Sequence, residues 1–170
     1  METRNKKFEN QLNSFDDALQ IIIRGHLYVG AEIDDLITEQ LPQPEYLDLD
    51  SFNFPKKIDL LIDLGLLPPE DKGGYLSLNR LRNKIAHDLD YIITEDQVNK
   101  LYQSLSQNLQ HPFHKKGQDH LENLRVTLCV LYVRIQAIRE RVIENKKHME
   151  ELIKKADALR KRSEMRQLTK

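Results

Sequence analysis

The run Leu78-Asn79-Arg80-Leu81-Arg82-Asn83-Lys84-Ile85-Ala86-His87-Asp88-Leu89-Asp90 decides how the chain reads. Leu78, Leu81, Ile85 and Leu89 recur at three- and four-residue spacing, which predicts a helix. At roughly 100° per residue these four form one apolar face. Arg80, Asn83, Lys84 and His87 fall on the opposite face, and Arg82 lies at the boundary. A helix that buries one stripe and presents Arg, Asn and His together is the first place to expect chemistry. The same residues also fit a structural role, because buried polar groups need hydrogen-bond partners.

Working outward toward the N-terminus, Pro69-Glu70-Asp71 opens this helix, and Gly73-Gly74 should kink it or delay its start to about Tyr75. The preceding helix has Asn53 as cap, Pro55 in the first turn, an apolar run through Ile58, Leu61 and Ile62, and Gly65 as its C-terminal stop. Leu41–Asp50 is a connector broken by two prolines. From Phe8 to Leu41 apolar residues step at helical spacing, so this is one long helix or two nearly collinear ones, with Ser14, Asp16 and Asp17 able to cap a second start. Gly25 and Gly30 inside it suggest a close helix crossing, since each weakens the helix by itself. His26 between them reads as a packed or surface histidine.

Toward the C-terminus, Thr94-Glu95-Asp96-Gln97 has the form of a capping box and starts a helix through Val98, Leu101 and Leu105. The short loop before it should set that helix antiparallel to the focal one. His111-Pro112-Phe113 with Lys115-Lys116-Gly117 marks the clearest boundary, dividing 1–113 from 114–170. Beyond it, Leu121, Leu124, Leu128, Leu131, Ile135, Ile138 and Val142 alternate spacings of 3 and 4, and Asn145, Met149, Leu152, Ala156 and Leu159 continue the register. This predicts a long heptad-patterned helix from about residue 118 to 166. Its half up to Val142 should pack on the bundle, and the basic remainder should project or pair. Cys129 reads as a small buried apolar residue. The expected fold is all-α: an up-and-down helical bundle with a long C-terminal heptad helix.

Composition supports that fold and narrows function. With 170 residues, 39% apolar and no Trp, the chain can fill one modest Leu/Ile core. A single cysteine excludes an internal disulfide and fits a reducing compartment. No apolar run approaches the roughly 20 residues of a membrane span, and the N-terminus lacks an apolar signal core. The expectation is a soluble, cytoplasmic protein without a membrane partner. The formal net charge of −1 conceals an asymmetry. Residues 1–113 hold 11 Lys+Arg against 19 Asp+Glu, net −8, and residues 114–170 hold 15 against 8, net +7. The basic tail could seek an anionic or protein partner, or self-association could neutralise it against the acidic body. His111, His114 and His120 are the only histidines placed to suggest a metal, and no carboxylate or cysteine joins them by spacing, so no metal is expected.

Arg82-Asn83-Lys84-Ile85-Ala86-His87 resembles the signature of the HEPN superfamily, small helical bundles marked by Arg, often Asn, then His after a short interval. The element order, with Leu64-Gly65-Leu66-Leu67 upstream of the motif, is similar to the mannitol operon repressor family, a HEPN-related branch. The resemblance covers about residues 8–110. It implies a metal-independent, cofactor-free endoribonuclease acting on single-stranded RNA, in a toxin or antiviral defence setting, usually with the motif at a homodimer interface. In that reading Arg82, Asn83 and His87 are catalytic and Arg80 and Lys84 hold RNA phosphates. The repressor-like branch implies instead a non-catalytic regulator or interaction protein, with the same residues fixing the bundle or dimer.

The residue types suit the first reading. RNA carries its own nucleophile, the 2′-hydroxyl, which DNA lacks. Histidine can take and give a proton near neutral pH. Arginine can stabilise charge building on the phosphate. Asn83 would orient His87, one helical turn away, or hold a phosphate oxygen. Arg82 and His87 are about 140° apart around an ideal helix, so two copies of the motif are needed to bring them together.

Overall fold

The computed structural model describes residues 2–88, 90–110 and 119–168, with side chains described between residues 4 and 160. Leu89, His111, His114 and the boundary at 115–117 lie outside the described residues. Among those described, all regular structure is helical: α1 (Glu2–Asn13), α2 (Ala18–Gln40), α3 (Phe54–Asp63), α4 (Lys72–His87), α5 (Glu95–Gln103) and α6 (His120–Leu168). Short 3-10 turns at Pro44–Tyr46, Leu49–Ser51 and Pro69–Asp71 occupy the connectors. No helix among the described residues is long and apolar enough to cross a membrane.

Local chemistry sets most helix ends. The segment from Phe8 to Leu41 is two helices, because the Asp17 side chain accepts from Leu19 N and starts α2 afresh. Asn53 Oδ1 accepts from Lys56 N at 3.0 Å and starts α3. Gly65, at φ 69°, ends α3. There Leu66 N donates to Leu61 O and Gly65 N to Ile62 O, both at 2.9 Å, a paired closure that only a left-handed residue permits. The capping box forms as the sequence predicts: Thr94 N donates to Gln97 Oε1 at 2.9 Å.

Gly73 and Gly74 do not delay α4, which starts at Lys72. A Cβ on Gly73 would lie 2.6 Å from Ser104 O, and one on Gly74 would lie 2.7 Å from a Leu105 methyl. The two glycines let the start of α4 touch the end of α5, so these helices run antiparallel. Gly25 plays the same part between α2 and α6, where a Cβ would meet Leu128 Cδ1 at 2.6 Å.

The most extensive helix pairing is α2 with α6. Gly25 faces Leu128, Glu32 faces Tyr132 and Gln136, and the Glu39 carbonyl accepts from Lys146, so the two helices run parallel. One core takes Phe8 and Leu12 from α1, Ile22, Ile33 and Leu36 from α2, Tyr75 and Leu78 from α4, and Leu124, Leu128, Leu131 and Ile135 from α6. The first half of α6 thus completes the bundle. Cys129 is half-buried, and burial first, then the charges of Glu9 and Glu122, push its thiol up to about 12. After Val142 the seam leaves the core, and Met149, Leu152, Ile153 and Leu159 are exposed.

Candidate functional site

Helix α4 displays the motif. Its apolar stripe faces inward: Tyr75 and Leu78 are fully buried, and Leu81 and Ile85 nearly so. Arg80, Arg82, Lys84 and His87 are exposed, and Asn83 is half-exposed. Arg82 Nη1 donates to Asn83 Oδ1 at 3.2 Å. Asn83 is thus engaged by the arginine beside it, not by His87, and His87 makes no hydrogen bond or ion pair among the described residues. Arg80 Nη2 donates to Ser77 Oγ at 2.8 Å. Lys84 Nζ stands 5.7 Å above the centroid of the Tyr91 ring, a cation–π distance. Arg80, Arg82 and Lys84 form no ion pair among the described residues. A groove of about 430 Å³ runs between α4 and α5, with Arg80 and Lys84 on one wall and Gln97 and Lys100 on the other. Lys100 is matched by Asp96 at 2.6 Å, one turn away.

Arg82 and His87 are about 140° apart around α4, and no hydrogen bond joins them among the described residues. His26 on α2 lies within electrostatic reach of Arg82. His26 Nε2 and Asn79 Oδ1 are 3.1 Å apart, the ring nitrogen donating, and the imidazole packs 4.4 Å from the Phe54 ring. Burial, then the Arg82 charge, lower the His26 pKa against the opposing hydrogen bond from Asn79. Folding thus makes His26 harder to protonate, and the motif helix has a second histidine at its edge. The sequence hides this neighbour, because 53 residues separate His26 from Asn79.

Two buried carboxylates escape a reading of local spacing. Glu32, 5% exposed, accepts from Tyr132 Oη at 3.2 Å, Arg4 Nη1 at 3.0 Å and Arg139 Nη1 at 3.3 Å. Gln136 Nε2 approaches it at 3.4 Å. Arg139 also reaches Asp35 at 3.2 Å and Glu39 at 3.5 Å. Asp71, 2% exposed, accepts from Arg134 Nε at 2.9 Å and from Ser106 Oγ. Beside it, Tyr75 Oη donates to Leu131 O at 3.0 Å. Each carboxylate is fully partnered and ties α6 to another helix, which is what a structural ion cluster does. The only sequence signal for Glu32 is an acid set among Val29, Ile33 and Leu36.

No group of three His, Cys, Asp or Glu among the described residues is arranged to hold a metal ion. His120 Nδ1 lies 3.5 Å from Asp119. No protein-family model matches the chain, and no curated protein and no solved structure matches it either.

Proposed function

We propose that the chain is a metal-independent endoribonuclease of HEPN type that cleaves single-stranded RNA at a site shared by two copies of α4. One observation carries the reading. On a body of net charge −8, the motif face keeps three cations without ion-pair partners among the described residues and an exposed histidine beside them. Charges that served only packing would be matched, as Arg134 and Arg139 are. In the proposed reaction His87 accepts the 2′-hydroxyl proton, the 2′-oxygen attacks the adjacent phosphorus, and the 5′-oxygen leaves with a proton from an acid of the shared site. The products are a 2′,3′-cyclic phosphate and a 5′-hydroxyl. Arg82, steered by Asn83, neutralises charge on the phosphate oxygens. Arg80 and Lys84 line the groove that would receive the flanking phosphates.

The second reading, a non-catalytic regulator, is favoured by the His26–Asn79 hydrogen bond, which spends part of the polar face of α4 on helix packing. The discriminating experiment incubates purified protein and its His87→Ala variant with mixed-sequence single-stranded RNA in a chelator. Cleavage to cyclic phosphate ends by the parent alone establishes the enzyme. Intact RNA with both proteins, at equal melting temperatures, establishes the regulator.

A further inference from the structure

The exposed second half of α6 repeats, beyond the bundle, the pattern with which its first half holds α2. In heptad terms the seam residues Leu131, Ile135, Ile138 and Val142 face the core, and the flanking positions carry Arg134 and Arg139. Both flanks are met by acids inside the bundle. Arg139 meets the row Glu32, Asp35 and Glu39 of α2, and Arg134 meets Asp71. α2 ends at Gln40, where Lys146 reaches the Glu39 carbonyl. α6 runs on for more than twenty residues, about 30 Å at 1.5 Å per residue.

Over that length the seam still holds Met149, Leu152, Ala156 and Leu159, now exposed and without an opposing helix among the described residues. The flanking positions carry Arg141, Lys146 and Lys155, with His148 among them and Ile153 widening the apolar strip. The acids Glu144, Glu151 and Asp157 sit on the outer positions, away from the seam, and Glu150 alone of the four borders the groove at the root of the tail. At the root of the tail a groove of about 600 Å³ opens between Leu66 on the body and Met149 and Ile153 on α6.

From this juxtaposition we infer that the tail of α6 is a docking surface for a partner protein's amphipathic helix, one with an aliphatic seam flanked by acidic residues, seated where α2 would lie if it continued. A second copy of the tail is the wrong occupant on charge. Paired parallel, Arg141 of one copy faces Lys146 of the other, and paired antiparallel, cationic flanks meet cationic flanks. A lipid surface fits less well, because residues 143–160 hold five Lys+Arg against four Asp+Glu and the apolar strip is narrow.

The test uses the full chain and two fluorescent synthetic helices, each with leucine at both seam positions. One carries glutamate and the other lysine at the flanking positions. The glutamate helix should bind, and the lysine helix should bind at least about tenfold more weakly. Leu152→Asp with Leu159→Asp should abolish binding while circular dichroism and melting temperature stay unchanged, as expected for exposed positions. Lys146→Glu with Lys155→Glu should reverse the preference between the two helices. Equal affinity for both helices, or binding untouched by the leucine changes, overturns the inference. So does failure of the glutamate helix to bind while the leucine changes abolish another association. Sedimentation velocity would identify that association as a second copy, a polyuridylate oligomer as RNA, and phosphatidylserine vesicles as a lipid surface.

Discussion

Arg139 on α6 lies 3.3 Å from the buried carboxylate of Glu32 on α2, and this contact anchors the two parallel helices of the core. Glu32 has only 6% of its side chain exposed, and Arg139 only 17%. Removing Glu32 takes the buried acceptor from Tyr132 and Gln136 and leaves Arg139 only its more exposed partners Asp35 and Glu39. Glu32→Ala should therefore lower unfolding free energy by about 3–5 kcal/mol, read by urea denaturation. Arg4→Ala should cost much less, because its guanidinium is half in solvent. Equal costs for the two changes would mean that the cluster does not hold α2 to α6.

Two glycines should respond in opposite directions to the same methyl group. Gly73→Ala drives a Cβ against the Ser104 carbonyl, which is backbone and cannot step aside. It should cost about 1–3 kcal/mol despite the better helix former. At Gly30 the nearest atoms belong to Phe54, 4.0 Å from the added carbon. Gly30→Ala should stabilise by up to about 1 kcal/mol. Thermal melts of the two variants compare them directly.

His26 gives the fold a pH signature. Its folded pKa is depressed, chiefly by burial and then by Arg82, so the unfolded chain binds the proton more readily. Stability from this residue is fully present above the unfolded histidine value of about 6.5 and falls as pH drops below it toward the folded pKa. His26→Gln keeps a donor toward Asn79 and does not titrate. The melting temperature of the parent should fall between neutral pH and pH 5 more steeply than that of the variant. Parallel curves would mean that folding does not lower the His26 pKa.

A site shared across two copies of α4 makes a prediction that a site within one chain does not. Arg82→Ala and His87→Ala should each abolish RNA cleavage and leave melting unchanged, since both side chains are exposed. Unfolding and refolding the two variants together should then restore about a quarter of parental activity, because half of the dimers are mixed and each mixed dimer holds one intact pair. No recovery would confine the chemistry to single chains or deny it altogether.

Lys84 and Arg80 offer a finer reading of the same surface. Neither is ion-paired among the described residues, and both line the groove beside α5. Lys84→Gln or Arg80→Gln should weaken binding of a non-hydrolysable RNA severalfold and reduce the salt dependence of binding, leaving the fold intact. Fluorescence anisotropy at two salt concentrations measures both effects.

Much of this protein is written locally. Caps act within one helical turn, so Asn53, Gly65 and the Thr94–Gln97 box fix helix ends from the sequence alone. The heptad seam of α6 and its change at Val142 are equally legible, because a repeat of apolar residues states which face must be covered. The residues of the motif face, from Arg80 to His87, are also evident from spacing, since one α-helix displays them all.

Other features depend on what stands opposite. Gly73-Gly74 looks like a break by propensity, and only the approach of Ser104 and Leu105 explains why it lies inside a helix. Glu32 and Asp71 look like surface acids, and only α6, bringing Arg139 and Arg134, makes their burial tolerable. His26 gains Asn79 as a partner across 53 residues, and Asn83 takes Arg82 in preference to the histidine one turn away. By itself the sequence determined an all-α chain, the helix ends that carry caps, the motif face and the seam, because these follow from interactions within a few residues. The tertiary structure decided which charges are buried, which glycines are crossings and where α6 runs out of neighbours, because packing pairs residues that no local spacing relates.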